Sequence, residues 1–223
     1  MKNLFIEHVS HEIRTPLNVI TGYAQVITNP DYKLDTKMRD HMLQDISRNT
    51  VEITNIVNEL LEVAQDESRE HIDHDEMVAV NDLCRHIIKD MEPVNVNHLD
   101  IDFITDITDD YQMKSNKQAI EKILGQLLDN ALKFTSEGSV KLMVNVDMEK
   151  MVAIYTVEDT GSGIEAADAE RIFEPYTKLN QYFDGEGVGL TVARNIAQRL
   201  GGELTLDAEY AGPGCRFVLQ LPI

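Results

Sequence analysis

The first 68 residues contain a single glycine, Gly22, and their apolar residues recur every three or four positions. Phe5, Val9, Ile13, Leu17, Ile20, Ala24 and Ile27 keep that step, and Asn29-Pro30-Asp31 then interrupts it. Met42, Ile46, Ile53, Ile56, Leu60 and Val63 resume it. This is the period of an α-helix, so the segment predicts two helices joined by a turn. A hairpin with one apolar stripe per helix cannot hide both stripes by itself. Pairing with a second copy makes a four-helix bundle that does, and a homodimer is therefore expected.

Residues 69 to 76 are polar and charged and read as a linker. From Met77 onward the period changes repeatedly. Val78 to Val80 predicts a short strand, and Asn81 is placed to cap a helix holding Leu83, Ile87 and Ile88. Leu99 to Ile107 alternates as a half-buried strand does. A long helix is expected from Ser115 through Ala131, then strands near 140–146 and 152–158. Helices near 166–172 and 190–200 and strands near 203–207 and 215–221 complete the series. The order predicts an α+β sandwich, with helices over one face of a mixed sheet. The expected organisation is thus a helical domain at 1–68, a linker at 69–76 and a second domain at 77–223.

Thirty-nine acidic side chains against 20 basic ones give a net charge of -19. Such a surface repels phosphate backbones and anionic headgroups, which argues against nucleic-acid or membrane-surface binding. No apolar run reaches membrane-spanning length. Cys84 and Cys215, the two cysteines, are far apart and read as reduced, buried thiols.

His11 points roughly 160° away from the apolar stripe of the first helix, toward solvent. An exposed neutral imidazole is a nucleophile, and Glu12 beside it is placed to orient it or take its proton. Thr15 lies one turn further on the same face, where it can position a water. Pro16 removes a backbone donor beside the reactive position, so a local bend is expected.

Three further strings follow in the second domain. Gln126-Leu127-Leu128-Asp129-Asn130-Ala131-Leu132-Lys133-Phe134-Thr135 ends the long helix. Asp159-Thr160-Gly161-Ser162-Gly163-Ile164 follows a strand. A buried carboxylate there can accept from an adenine amino group, while glycines let the backbone approach the ring. Gly185-Glu186-Gly187-Val188-Gly189-Leu190 leads into a helix, where backbone amides favour phosphate. Its GxGxG spacing, without a preceding strand, is not a dinucleotide fingerprint. Each string alone has an ordinary structural reading, as core helix, acidic turn or helix start.

Together, SHEIRTPL at residues 10–17 and these three strings in order resemble the histidine kinase family of two-component systems. Phe173-Glu174-Pro175-Tyr176 resembles the family's phenylalanine motif, and Gly212-Pro213-Gly214 its last glycine turn. The resemblance implies the ATP-binding sandwich shared with gyrase-type and heat-shock-chaperone ATPases. It also implies autophosphorylation of His11 from ATP, then transfer to an aspartate of a separate response regulator. Glu12 and Thr15 then serve phosphotransfer and phosphatase steps. Asn130 is implied as the Mg²⁺ ligand, with Lys133 on a phosphate and Phe134 near the adenine. Asp159, Gly161, Gly163, Ile164, Phe173, Lys178, Gly185, Gly187, Val188, Gly189 and Leu190 are implied to line the nucleotide. The family usually has asparagine where this chain has Gln126, whose amide is implied as a second Mg²⁺ ligand that makes the same contacts from a longer stem. A scaffold that binds nucleotide with weak or lost kinase activity is the rival that this departure favours. By the same analogy a sensor segment lies upstream and the core works in the cytoplasm.

Overall fold

The computed structural model describes the backbone at residues 2–29, 32, 34–66, 72–175, 177 and 188–223. Side chains are described at those positions except 2–9, 11, 12, 51, 52, 54, 55 and 58–66. The chain divides into two compact units, Met1–Ser68 and Arg69–Ile223.

The first unit is a helical hairpin of α1 (Lys2–Thr28) and α2 (Thr36–Asp66), packed on each other. α1 continues through Pro16, which is buried. The start of α2 is capped by Asp35, whose Oδ1 accepts from the Met38 amide at 2.7 Å. Ile13, Ile20 and Ile27 of the expected stripe are half-buried. Leu17 of the same stripe is 47% exposed, as are Leu43 at 48% and Val57 at 40% on α2. The hairpin therefore carries more apolar surface than its own two helices cover.

The second unit begins with β1 (Glu76–Ala79), paired antiparallel with β3 (Gln112–Ser115). Between them lie α3 (Val80–Met91) and β2 (Asp100–Thr105). α4 (Lys117–Phe134), β4 (Ser139–Asp147), β5 (Val152–Asp159), α5 (Gly189–Arg199), β6 (Glu203–Leu206) and β7 (Arg216–Pro222) follow. The main sheet runs β2-β4-β5-β7-β6, parallel between β2 and β4 and antiparallel elsewhere.

Alternation along these strands sends one set of side chains inward. Val140, Leu142 and Val144, then Ala153, Tyr155 and Val157, then Phe217, Leu219 and Leu221 are all buried. α4 contributes Ile120, Ile123, Leu124, Leu127 and Leu128, each fully buried, and packs against α3, α5, β4 and β5. Burial of each such side chain stabilises the fold by about 1.5–3 kcal/mol. On the other face of the sheet, Arg216 reaches Glu158 at 2.9 Å and Asp207 at 3.4 Å.

Three local expectations change. Asn81 does not cap α3: the helix starts at Val80 with Ala79 as its cap residue. The buried Asn81 amide instead donates to Ile107 O and to Asp109 Oδ1, both at 3.0 Å. Ser115 belongs to β3 rather than to the long helix, which Asn116 caps by accepting from Ala119 N at 2.9 Å. Residues 166–172 form two short 3₁₀ turns, Ala166–Asp168 and Arg171–Phe173, instead of one helix.

Candidate nucleotide site

The site is organised around the last two turns of α4. Burial of Leu127, Leu128 and Ala131 turns Gln126, Asn130 and Lys133 to a half-buried edge, at helical spacing of four and three. Gln126 Nε2 donates to Asn130 Oδ1 at 3.2 Å. Lys133 Nζ lies 5.6 Å from the centre of the Phe134 ring, which is partly exposed.

Asp159 ends β5 and is buried. Its Oδ1 accepts from Gly161 N at 2.8 Å and from Cys215 N at 3.2 Å. Burial pushes the carboxyl pKa up, the two amide donors pull it down, and burial prevails. Oδ2 receives no hydrogen bond from the described residues.

The following loop lies against the end of α4, with Ser162 N donating to Phe134 O at 3.3 Å. Glycine is required here by closeness. A Cβ on Gly161 would fall 2.8 Å from Thr135 Oγ1 and 2.9 Å from Asp159 Oδ1, and nearer still to Phe134 O. Gly163, at φ 71°, takes a backbone conformation that side chains disfavour. Ile164 beyond it is half-buried.

The start of α5 closes the other side. Val188 is buried, while Gly189 and Leu190 are half-buried. Gly189 lies against the Gln126 amide. Thr191 Oγ1 donates to Phe173 O at 2.9 Å, and Arg194 stacks on the Phe173 ring at 4.4 Å. Phe173 in turn meets Phe217 edge-on at 6.3 Å. The strings around residues 126–135, 159–164 and 188–190 thus converge on one end of α4.

Lys178, Gly185 and Gly187 lie outside the described residues, as do the side chains of His11 and Glu12. The backbone of His11 is helical within α1, and Thr15 is exposed on that helix.

Sequence reasoning missed several contributors. Gly214, read from sequence only as part of the last glycine turn, takes φ 78° and abuts the Asp159 carbonyl, next to the amide that Cys215 gives to Asp159. The Gly-Pro-Gly before the last strand was the available signal. Thr135 had no signal beyond its place in the string. Its Oγ1 is fully buried and has no hydrogen-bond partner among the described residues.

A free buried hydroxyl, a buried carboxylate with one open oxygen, and a glycine cradle are the donor and acceptor set that an adenine edge requires. Residues 115–223 match the family described as histidine kinase-, DNA gyrase B- and HSP90-like ATPases, and residues 1–69 match the His kinase A (phospho-acceptor) domain. The chain belongs to the histidine kinase family. Its second unit is the family's ATP-binding domain, and its hairpin is the phospho-acceptor domain.

The chain is 30% identical to the autoinducer 2 sensor kinase/phosphatase LuxQ of Vibrio cholerae, over 98% of this chain and 26% of LuxQ. It is also 30% identical to the sensor histidine kinase YcbM of Bacillus subtilis, over 92% of this chain and 66% of YcbM. The curated relatives are longer, and the chain spans from 19% of one to 66% of another. Among solved structures, the histidine kinase ThkA in complex with the response regulator protein TrrA shares the fold. It aligns at a TM-score of 0.77 with 22% identity, over 98% of this chain and 60% of that one. Full-length ShkA in complex with AMPPNP aligns at 0.72 with 24% identity, over 96% and 44%.

Proposed function

We propose that this chain is the catalytic core of a sensor histidine kinase that phosphorylates His11 from ATP and passes the group to an aspartate of a response regulator. One observation carries the nucleotide half of this reading: Asp159, buried and held by two amides, lies where three sequence strings meet. Asp159 Oδ2 accepts from the adenine amino group and Thr135 Oγ1 serves the same edge, while Gly161 and Gly163 let the ring approach. Phe134 packs near the ring. The start of α5, at Val188, Gly189 and Leu190, offers backbone amides to the phosphates. Lys133 supplies charge to a phosphate, against the overall charge of -19. Lys178, Gly185 and Gly187 complete the phosphate side by resemblance to the family.

The Asn130 amide oxygen would hold a Mg²⁺ ion, which would supply charge neutralisation at the phosphates. Among the described residues no three His, Cys, Asp or Glu side chains form a metal cluster.

In the transfer, His11 Nε2 attacks the γ-phosphorus. The new N–P bond forms as the bond to the β–γ bridging oxygen breaks, and ADP leaves. Glu12 orients the imidazole or accepts its proton. Catalysis rests on placing the reacting atoms in line and on spreading charge. The phosphoryl group then passes to a carboxylate of the receiver, docked on the hairpin. The hairpin dimerises, since its exposed Leu17, Leu43 and Val57 need cover. The described helices include none long and apolar enough to cross a membrane; the core works in the cytoplasm.

A second reading, phosphatase action on the receiver, is favoured by Thr15, exposed on α1 one turn from His11. Incubation with γ-labelled ATP and Mg²⁺ tests the first. Label that is lost in acid, kept in alkali and absent from His11→Ala is expected. Acid-labile label persisting in that variant overturns the assignment.

A further inference from the structure

We propose that Gln126 is a positioning residue that locks the end of α4 to the start of α5 and orients the Asn130 amide, rather than a metal ligand. The inference rests on the nucleotide-site reading above and deepens it.

Two contacts define the role. Gln126 Nε2 donates to Asn130 Oδ1 at 3.2 Å. This uses one lone pair of that oxygen and leaves the other for a cation. With Gln126 Nε2 as the donor, the Asn130 amide presents its oxygen here, since its NH₂ in that place would face the Gln126 NH₂.

The second contact is with Gly189, the first residue of α5. A Cβ built there would lie 2.5 Å from Gln126 Nε2, 2.5 Å from its Oε1, and closer to its Cδ. Nearly equal distances to three atoms of one planar group place that point over the face of the amide. No other residue supplies any of its three nearest atoms.

Gly189 is not among the glycines with positive φ. Its backbone conformation is open to any residue, so space alone excludes a side chain, and Gln126 occupies that space. The requirement for glycine at 189 is therefore a consequence of the residue 63 positions earlier. A shorter amide at 126 ends one methylene sooner and removes it.

In this arrangement Asn130 and the α5 amides are presented as one rigid unit. The nitrogen of Gln126 does the orienting, whereas metal ligation would require its oxygen. The two roles are separable by substitution.

The test uses the whole chain, with AMPPNP as probe, titrated with and without Mg²⁺, and the thermal midpoint of every variant recorded. Gly189→Ala is expected to weaken AMPPNP binding about tenfold, within the range of couplings between touching residues. Gln126→Asn in the same chain restores most of that loss. Gln126→Glu keeps the length and the oxygen but has no donor. It leaves Gly189→Ala unrescued and raises the Mg²⁺ concentration for half-maximal binding about tenfold, whereas at a metal-ligating position the added carboxylate would lower it.

Equal damage from Gly189→Ala in the Gln and Asn backgrounds overturns the packing contact. An unchanged or lowered Mg²⁺ requirement in Gln126→Glu overturns the orienting role. If the parent chain binds no AMPPNP, the nucleotide reading itself fails. The packing contact is then decided by the midpoints, where Gly189→Ala must lower the value and Gln126→Asn must recover it.

Discussion

The two units bury their apolar residues to very different degrees. In the second unit α4 places five large side chains, Ile120 to Leu128, fully out of water against a sheet that is itself alternately buried. In the hairpin Ile56 is the buried large apolar residue among the described ones, while Leu17, Leu43 and Val57 stay exposed. Both segments have clear helical patterns, so pattern alone does not predict self-sufficiency. What differs is the number of layers. α4 is packed against strands below it and helices on both sides, whereas within the hairpin α1 packs on α2. The ATP-binding unit completes its own core, and the exposed apolar residues of the phospho-acceptor unit are where a second copy is proposed to pack.

The comparison is sharpened most by truncating a leucine in the closed core. Leu124→Ala removes a fully buried side chain and is expected to cost about 2–5 kcal/mol of unfolding free energy. Chemical denaturation of the chain, followed by a probe in the second unit, measures it.

Next in size is Asp159→Asn, which sets function against stability at one residue. The substitution removes the proposed adenine acceptor and is expected to weaken ATP-analogue binding about a hundredfold. Burial raises the Asp159 pKa above its value in the unfolded chain. A raised carboxyl pKa contributes stability that is fully present below the unfolded pKa and is lost as pH rises through the folded one. At neutral pH the charged group therefore costs stability. The Asn variant is expected to melt above the parent at pH 7, with the gap closing as pH falls toward the ordinary carboxylate range. Melting curves across pH check the sign.

The smallest effect is expected in the hairpin. Leu43→Ala leaves unfolding of the second unit unchanged and weakens self-association about tenfold, or ~1.4 kcal/mol. Sedimentation over a concentration series reads it. An equal loss in the stability of the second unit would erase the contrast between the two.

Much of this architecture was legible because period reports burial. The helical step of residues 5–63 marks two helices, and the alternation at 140–146 and 152–158 reflects faces that meet the core. Elements whose partners are remote were not legible. β3 is four residues long and forms its ladder only with β1, so no run of alternation marked it. Asn81 has the residue type of a cap, but distant acceptors at Ile107 and Asp109 draw its amide into the interior. Residues 166–172 have helical spacing, yet the chain tightens into separate 3₁₀ turns, and Thr191 and Arg194 hold the second of them. In the site, the residue types near Asp159 were readable from their strings. The Cys215 amide was not, since any residue type supplies one, and neither was the seat of Gln126 on Gly189.

β7 is the last strand in chain order, yet it lies inside the sheet, between β5 and β6. Cys215, immediately before it, supplies one of the two amides that hold Asp159. Protein synthesis proceeds at about 5–20 residues per second, so roughly 8–30 s separate the completion of the hairpin from that of β7. During that interval the ribosome carries a phospho-acceptor without a finished nucleotide pocket. On the proposed function, the order of the strands thus delays self-labelling of a nascent chain until its ATP-binding domain has been translated through β7.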